Sequence, residues 1–189
     1  METIEGLWQR IETWMHLHAQ ELWHQLAPGA DEEEIKRLEH ILDVTLPEEV
    51  RASYRWHNGG YRVQLVTHMR ILPVEDIIKI WQMLRELLDD DDWASQPPHY
   101  FTNEIVLRSG WQPGPIQPVW WHQGWIPLGM DNAGNLSCLD LAPAPGGAVG
   151  QILDWDHECG PSQVLFSSFH QLLRAFADQL ERTPDEQAF

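Results

Sequence analysis

Apolar residues recur at spacings of three and four in several stretches of the chain, and in short alternating or continuous runs elsewhere. Across residues 3–26, Ile4, Leu7, Ile11, Trp14, Leu22 and Leu26 form a helical stripe, with Thr3 placed to cap it and Pro28-Gly29 to end it. Asp31-Glu32-Glu33-Glu34 opens a second helix. Asp31 suits its N-cap, Glu34 sits where it can reach back, and Ile35, Leu38, Ile41 and Leu42 are its buried stripe. A third begins at Leu46-Pro47-Glu48-Glu49, with proline at the first helical position, where its missing N–H has no partner anyway. Val50, Tyr54 and Trp56 face inward, and Asn58-Gly59-Gly60 stops it. Pro73 starts a helix over residues 74–88. Ser168-Phe169-His170-Gln171 has the capping-box pattern and opens a last helix to about residue 182, with Leu172, Leu173, Phe176 and Leu180 on its core face.

The β pattern dominates between these helices. Residues 61–67 alternate weakly, 70–72 and 104–107 are short β-like runs, and 125–128, 136–141, 149–155 and 163–166 read as strands. Asp131, Asn132, Gly134 and Asn135 are turn formers between two of them. Residues 89–92, 110–118 and 143–147 read as loops. Helices, then strands, then a helix predict an α+β fold: a mostly antiparallel central sheet with helices packed against it, in a single domain over residues 1–182, followed by a frayed tail at 183–189.

Composition narrows the function. At 43% hydrophobic residues over 189, the chain holds enough apolar material for a core without disulfides. Its apolar runs fall far short of the ~20 residues a membrane span needs, and Met1-Glu2-Thr3-Ile4-Glu5 lacks the basic start of a secretory signal. Cys138 and Cys159 have no metal-type spacing and point to a reducing compartment, so a cytoplasmic location is expected. Twelve basic residues against 29 acidic ones give a net charge of -17. Such a field repels nucleic acid and draws in a basic protein partner. Eleven tryptophans are mostly core material, with some free for a recognition surface.

Catalytic motifs are missing. Gly146-Gly147-Ala148-Val149-Gly150 lacks the Lys-Ser/Thr of a phosphate loop and reads as a connector. His16, His18 and His24 do not share one helix face. Asp154-Trp155-Asp156-His157-Glu158-Cys159 is the densest polar cluster; a solvated turn, or beyond that an acidic binding rim, fits it better than a metal-dependent enzyme. In Trp120-Trp121-His122, Trp121 is left open to a partner while Trp125 points inward. No catalytic residue, cofactor or metal is expected.

Several segments together carry a resemblance. They are Pro28-Gly29-Ala30 with Glu32, Ile35 and Glu39; Leu46-Pro47 with Tyr54 and His57-Asn58-Gly59-Gly60; Trp125-Ile126-Pro127-Leu128 with Asp131 and Gly134; Leu139-Asp140-Leu141 with Pro143, Gly146-Gly147 and Gly150-Gln151-Ile152; and Ser167-Ser168-Phe169. In this order the chain resembles the SUKH superfamily, in particular the branch named after the yeast cell-wall assembly regulator. The resemblance implies a sheet backed by helices and a non-catalytic role. Bacterial members resemble immunity proteins that neutralise polymorphic toxins, often nucleases; fungal members look like regulators of cell-wall synthesis. The expectation is an immunity-type protein that binds a basic toxin through an acidic face, with a regulatory or scaffold module as the alternative and a homodimer also compatible. The candidate contacts are Trp121, Asp140, Gln151, Asp154, Asp156 and Glu158, with Asp131 at the rim.

Overall fold

Thr3 Oγ1 accepts the Gly6 N–H at 3.1 Å and starts the first helix, α1 (Ile4–His18), in a computed structural model that describes residues 2–64, 69–89 and 114–182. The apolar stripe predicts one helix to residue 26, but the backbone leaves helical geometry at Ala19 and resumes in a single turn, α2 (Gln20–Trp23). The break lets the chain double back, so that Leu26 bridges to Gly60 and the Ala27 N–H donates to the Gly59 carbonyl at 3.1 Å. A helix continued to residue 26 would have carried those groups away.

Helix α3 (Glu32–Leu42) opens with both halves of its capping box, Glu34 N–H to Asp31 Oδ1 at 2.8 Å and Asp31 N–H to Glu34 Oε2 at 2.9 Å. In α4 (Glu48–Trp56), Pro47 is the cap itself rather than the first helical residue; Val50, Ser53 and Tyr54 are buried, while Trp56 is only half-buried and donates to Glu12 at 3.0 Å. Asn58, expected to end this helix, also starts another: its Oδ1 accepts the Val74 N–H at 2.8 Å at the head of α5 (Val74–Asp89).

An ionic seam ties α3 to α4. Arg51 reaches Glu39 and Glu32, Arg55 reaches Glu48 at 2.8 Å, and the other oxygen of Glu39 accepts the Leu46 N–H at 2.8 Å. Glu39 and Arg51 are partly buried, so the seam is less screened than an exposed surface pair. Glu39→Ala is expected to lower the unfolding free energy by about 1–3 kcal/mol, because it strands the Leu46 N–H and takes from Arg51 one of its carboxylate partners, leaving Glu32 and Glu48. Glu39→Gln keeps an acceptor for Leu46 and should lose clearly less in the same urea titration; equal losses would mean the Leu46 bond is not what matters.

The strands are β1 (Gly60–Gln64), β2 (Arg70–Ile71), β3 (Trp125–Met130), β4 (Leu136–Asp140), β5 (Gln151–Asp156) and β6 (Gly160–Phe166). They form a six-stranded sheet in the order β1-β2-β3-β4-β5-β6, antiparallel throughout. Leu139 pairs with Ile126 on one side and Ile152 on the other, and β3 carries an irregularity between Pro127 and Gly129. Every residue of β4 is buried, and successive side chains of a strand point to opposite faces, so the sheet is covered on both sides. Trp8 of α1, Tyr54 of α4 and Phe169 and Leu172 of the last helix, α6 (Phe169–Arg182), close over Ile71 and Leu128. Ile80 and Leu84 of α5 stand over Met130, Leu136 and Trp155. The cap of α6 is shared: Ser168 Oγ accepts the Gln171 N–H at 3.2 Å, Gln171 reaches back to the Ser167 N–H, and Glu49 of α4 accepts the Phe169 N–H at 3.1 Å.

The expected strands at 125–128, 136–141, 149–155 and 163–166 are thus present with shifted ends, β6 starting three residues early. The expected strand at 104–107, most of the acidic loop at 89–92, the first part of the loop at 110–118 and the tail at 183–189 lie outside the described residues, as does the end of the run at 61–67.

Candidate protein-binding site

Arginines tie one set of carboxylates into the fold. Arg10 ties Glu2, Asp178 and Glu181 between α1 and α6, Arg51 and Arg55 hold Glu32, Glu39 and Glu48, and Arg37 holds Glu75 at 2.8 Å. Hydrogen bonds from Arg10 hold the Asp178 and Glu181 carboxyls below their ordinary values, and Arg55 does the same for Glu48. These acids cross-link helices.

The acids at one end of the sheet are different. Among the described residues, no Lys or Arg lies within ion-pair distance of Asp131, Asp154, Asp156 or Glu158; Glu158 has only His157, at 3.9 Å. Asp131 and Glu158 stand on two neighbouring turns, β3–β4 and β5–β6, Asp156 ends β5 beside the second turn, and Asp154 lies two residues further back in β5. Asp131 Oδ1 accepts the N–H groups of Ala133 and Asn135 at 2.8 and 2.9 Å, and Asp156 Oδ1 accepts those of Glu158 and Cys159 at 2.8 and 2.7 Å. Asn135 Oδ1 accepts the His157 N–H at 3.1 Å, which locks one turn to the other. Asp154 Oδ2 accepts from Ser162 Oγ at 2.8 Å across the hairpin. Burial raises the Asp131 carboxyl, but the side-chain and backbone N–H groups of Asn135, with those of Ala133 and Gly134, outweigh it and hold the group below its ordinary value. The turns therefore present fixed negative charge that no Lys or Arg among the described residues cancels.

A groove of about 300 Å³ runs beside these turns. Ile80, Met83, Leu84 and Leu87 of α5 form one wall, Met130, Leu136 and Trp155 the floor, and Ala133, Gly134 and His157 the end. It is apolar, and it opens to solvent at Met83, which is 52% exposed.

Three of the candidate contacts are not at this surface. Trp121 is 3% exposed, and its ring stands edge-on to Trp125 and Trp155 at centroid distances of 5.8 and 5.4 Å, so the tryptophan-rich segment is core rather than platform. Asp140 and Gln151 are buried against each other: Gln151 Nε2 donates to Asp140 Oδ2 at 2.8 Å and to the Pro115 carbonyl at 3.0 Å, Gln151 Oε1 accepts the Ala148 N–H at 3.1 Å, and Asp140 Oδ1 accepts the Ala142 N–H at 2.9 Å. Together they clasp the ends of β4 and β5 to the loop before β3. Desolvation raises the Asp140 carboxyl above its ordinary value, against the opposing pull of Gln151, the Ala142 N–H and His122. Asp131, Asp154, Asp156 and Glu158 are brought together at the hairpin end.

Among the described residues, no group of three or more His, Cys, Asp or Glu side chains is placed to hold a metal, and no helix is long and apolar enough to cross a membrane. In the polar cluster at 154–159, Asp156 points one oxygen back at its own turn, and Cys159 and Cys138 are both free thiols.

The family model described as the SMI1 / KNR4 family (SUKH-1) matches residues 29–175, from the lead-in of α3 into α6. The chain belongs to this family. It is 30% identical over 178 residues to the cell wall biosynthesis/cell cycle regulator smi1 of Schizosaccharomyces pombe, covering 92% of this chain and 35% of that protein. It is 27% identical over 203 residues to the glucan synthesis regulatory protein of Neurospora crassa, 94% of this chain and 38% of that one. The cell wall assembly regulator SMI1 of Saccharomyces cerevisiae matches at 25% over 200 residues, 92% of this chain and 40% of that one. The chain thus spans well under half the length of these relatives.

Within this SMI1 / KNR4 domain, the groove is the feature that sequence reading missed. Its signal was in α5, which carries Ile77, Ile78, Trp81 and Leu84 toward the core and also Ile80, Met83 and Leu87, a wider apolar surface than one stripe requires. The burial of Asp140 was legible too. Counting by two along β4 puts it on the face of Leu136 and Cys138, both core residues.

Proposed function

We propose that the chain is a non-catalytic protein-binding module of a regulatory protein, and that it holds a basic segment of its partner at Asp131, Asp154, Asp156 and Glu158. One observation carries the reading: Glu32, Glu39, Glu48, Glu75, Asp178 and Glu181 are held by arginines within the fold, whereas the four acids gathered at the hairpin end have no Lys or Arg within ion-pair distance among the described residues. Carboxylates that no internal Lys or Arg neutralises are the ones free to steer and hold a cationic partner. The relatives named above are called regulators of cell wall or glucan synthesis, which favours an endogenous partner. The toxin-neutralising reading uses the same surface with a different partner, and none of those names supports it. A cytoplasmic location belongs to the same proposal.

The test is affinity capture of a partner, followed by association kinetics with the wild type and with an Asp156→Asn, Glu158→Gln double variant that keeps acceptors for the turn. Neutralising this pair is expected to slow association about tenfold at low salt, with a smaller change in dissociation and a flatter salt dependence. Unchanged rates with the captured partner would refute the assignment. A captured toxin whose activity the chain suppresses would return the immunity role.

A further inference from the structure

The helix α5 carries two apolar stripes. Ile77, Ile78, Trp81 and Leu84 are buried in the core. Ile80, Met83, Leu84 and Leu87 follow the i, i+3, i+4, i+7 spacing of a helix–helix contact face, and all four line the groove. Ile80 and Leu87 are only partly buried and Met83 is half exposed, so this second face has no partner among the described residues that covers it. Met130, Leu136 and Trp155 form the floor beneath it.

Charge at the groove is one-sided. The closed end abuts the turns that carry Asp131, Asp156 and Glu158, whose carboxylates have no Lys or Arg among the described residues. The basic residues of α5 are engaged: Lys79 lies 3.6 Å from Asp76, and Arg85 stands over the Trp81 ring at 5.5 Å. A second copy of the chain would bring the same acidic rim against itself, which opposes self-association here.

We infer that this groove takes a basic amphipathic helix from the protein partner, laid along α5 with its bulky apolar side chains over Met130 and Trp155 and its Lys or Arg residues against Asp131, Asp156 and Glu158. The helical form follows from the spacing of the α5 stripe, which matches the repeat of a second helix beside it. The bulky anchors follow from the volume and the apolar lining, and the basic residues from the rim. Met83 and Met130 are unbranched and flexible, and they let the pocket adjust to anchors of different shape. The inference rests on the protein-binding role proposed above and adds the class of segment that is bound.

The probe is a synthetic amphipathic helical peptide of about 16 residues, with Leu and Trp at i, i+3, i+4 and i+7 positions and Lys elsewhere. Two controls accompany it, one with Glu in place of Lys and one with the same composition scrambled. Binding to the full chain is followed by fluorescence anisotropy and by the methionine methyl NMR signals. The basic helix is expected to shift the Met83 and Met130 methyls and to leave the buried Met15 and Met69 in place, and neither control should do so. Met83→Glu changes a half-exposed side chain and should fold as the wild type does, yet weaken binding tenfold or more. Shifts elsewhere, equal binding of the scrambled peptide, or no loss on Met83→Glu would overturn the assignment. The two proposals separate cleanly with a captured cellular partner. If the Asp156, Glu158 double variant loses it and Met83→Glu does not, the groove is wrong and the acidic surface stands. If neither variant affects capture, the acidic-surface reading fails as well.

Discussion

An alanine at Gly29 is expected to cost about 3 kcal/mol or more of unfolding free energy, although it adds only one carbon. The added Cβ would lie 1.8 Å from the Arg55 carbonyl oxygen and 2.5 Å from its carbon. Both atoms belong to the last turn of α4, so no flexible side chain can swing away. The surrounding segment is fastened backbone to backbone: the Ala30 N–H donates to the Tyr54 carbonyl at 2.8 Å, the Asn58 N–H to the Pro28 carbonyl at 3.1 Å, and the Ala27 N–H to the Gly59 carbonyl at 3.1 Å. Relieving the clash means pulling this zipper open. Tyr54 would move with it, and its hydroxyl donates to the Leu72 carbonyl at 2.9 Å in the core. Gly6→Ala is the control. It lies inside α1 with nothing closer than 3.4 Å to a new Cβ, and helix propensity predicts a gain of about 0.5–1 kcal/mol. Parallel urea titrations settle the matter, and a Gly29→Ala midpoint equal to that of the wild type would show that the close approach does not exist.

Asp140→Ala is expected to lower stability by about 2–3 kcal/mol, because it leaves the Ala142 N–H and one donor of Gln151 buried without acceptors. Gln151→Ala should cost a similar amount by freeing Asp140 Oδ2 and the Ala148 N–H. The double variant should lose less than the sum of the two, since each single change already breaks the shared bond. Ionisation adds a pH signature. Burial raises the folded-state value of Asp140 above the unfolded one near 3.8. A raised value means that its contribution to stability is full below the unfolded value and is lost as pH rises through the folded one. The advantage of the wild type over Asp140→Asn should therefore be larger at about pH 3 than at pH 7. This experiment also separates two roles for the residue. A side chain reserved for a partner would leave stability untouched when removed and weaken binding in a fully folded variant. The clasp predicts the reverse: a partner that still binds whatever fraction remains folded.

The outcomes for Asp140, Gln151 and Trp121 show where sequence reasoning reached its limit. They fall in recognisable motifs or in an aromatic-rich run, and on that ground alone read as contacts. The motif positions turn out to hold the domain together, with Asp140 and Gln151 joining strand ends to the 115 loop and Trp121 packed edge-on among other indoles. Asp131, Asp154, Asp156 and Glu158 lie in or beside two turns of adjacent hairpins, and the antiparallel order of β3 to β6 brings those turns to one end.

The chain by itself determined where most elements begin, because those signals act over three or four residues. Thr3, Asp31 and Ser168 cap their helices through side chains that bond the next turn, and Asp131 folds its own turn onto Ala133 and Asn135. Spacing by two and by three or four likewise identified the strands and the core stripes. The tertiary structure alone decided the rest. It broke the first helix at Ala19, since the pairing of Leu26 with Gly60 joins segments far apart in sequence. It neutralised some carboxylates with Arg10, Arg51 and Arg55 and gathered others at the hairpin end away from any Lys or Arg among the described residues. It also set the second stripe of α5 over the sheet with no described residue covering it. Each of these depends on which distant groups meet, and the free energy of an ion pair, a buried carboxylate or an open groove is set by that meeting rather than by the neighbours along the chain.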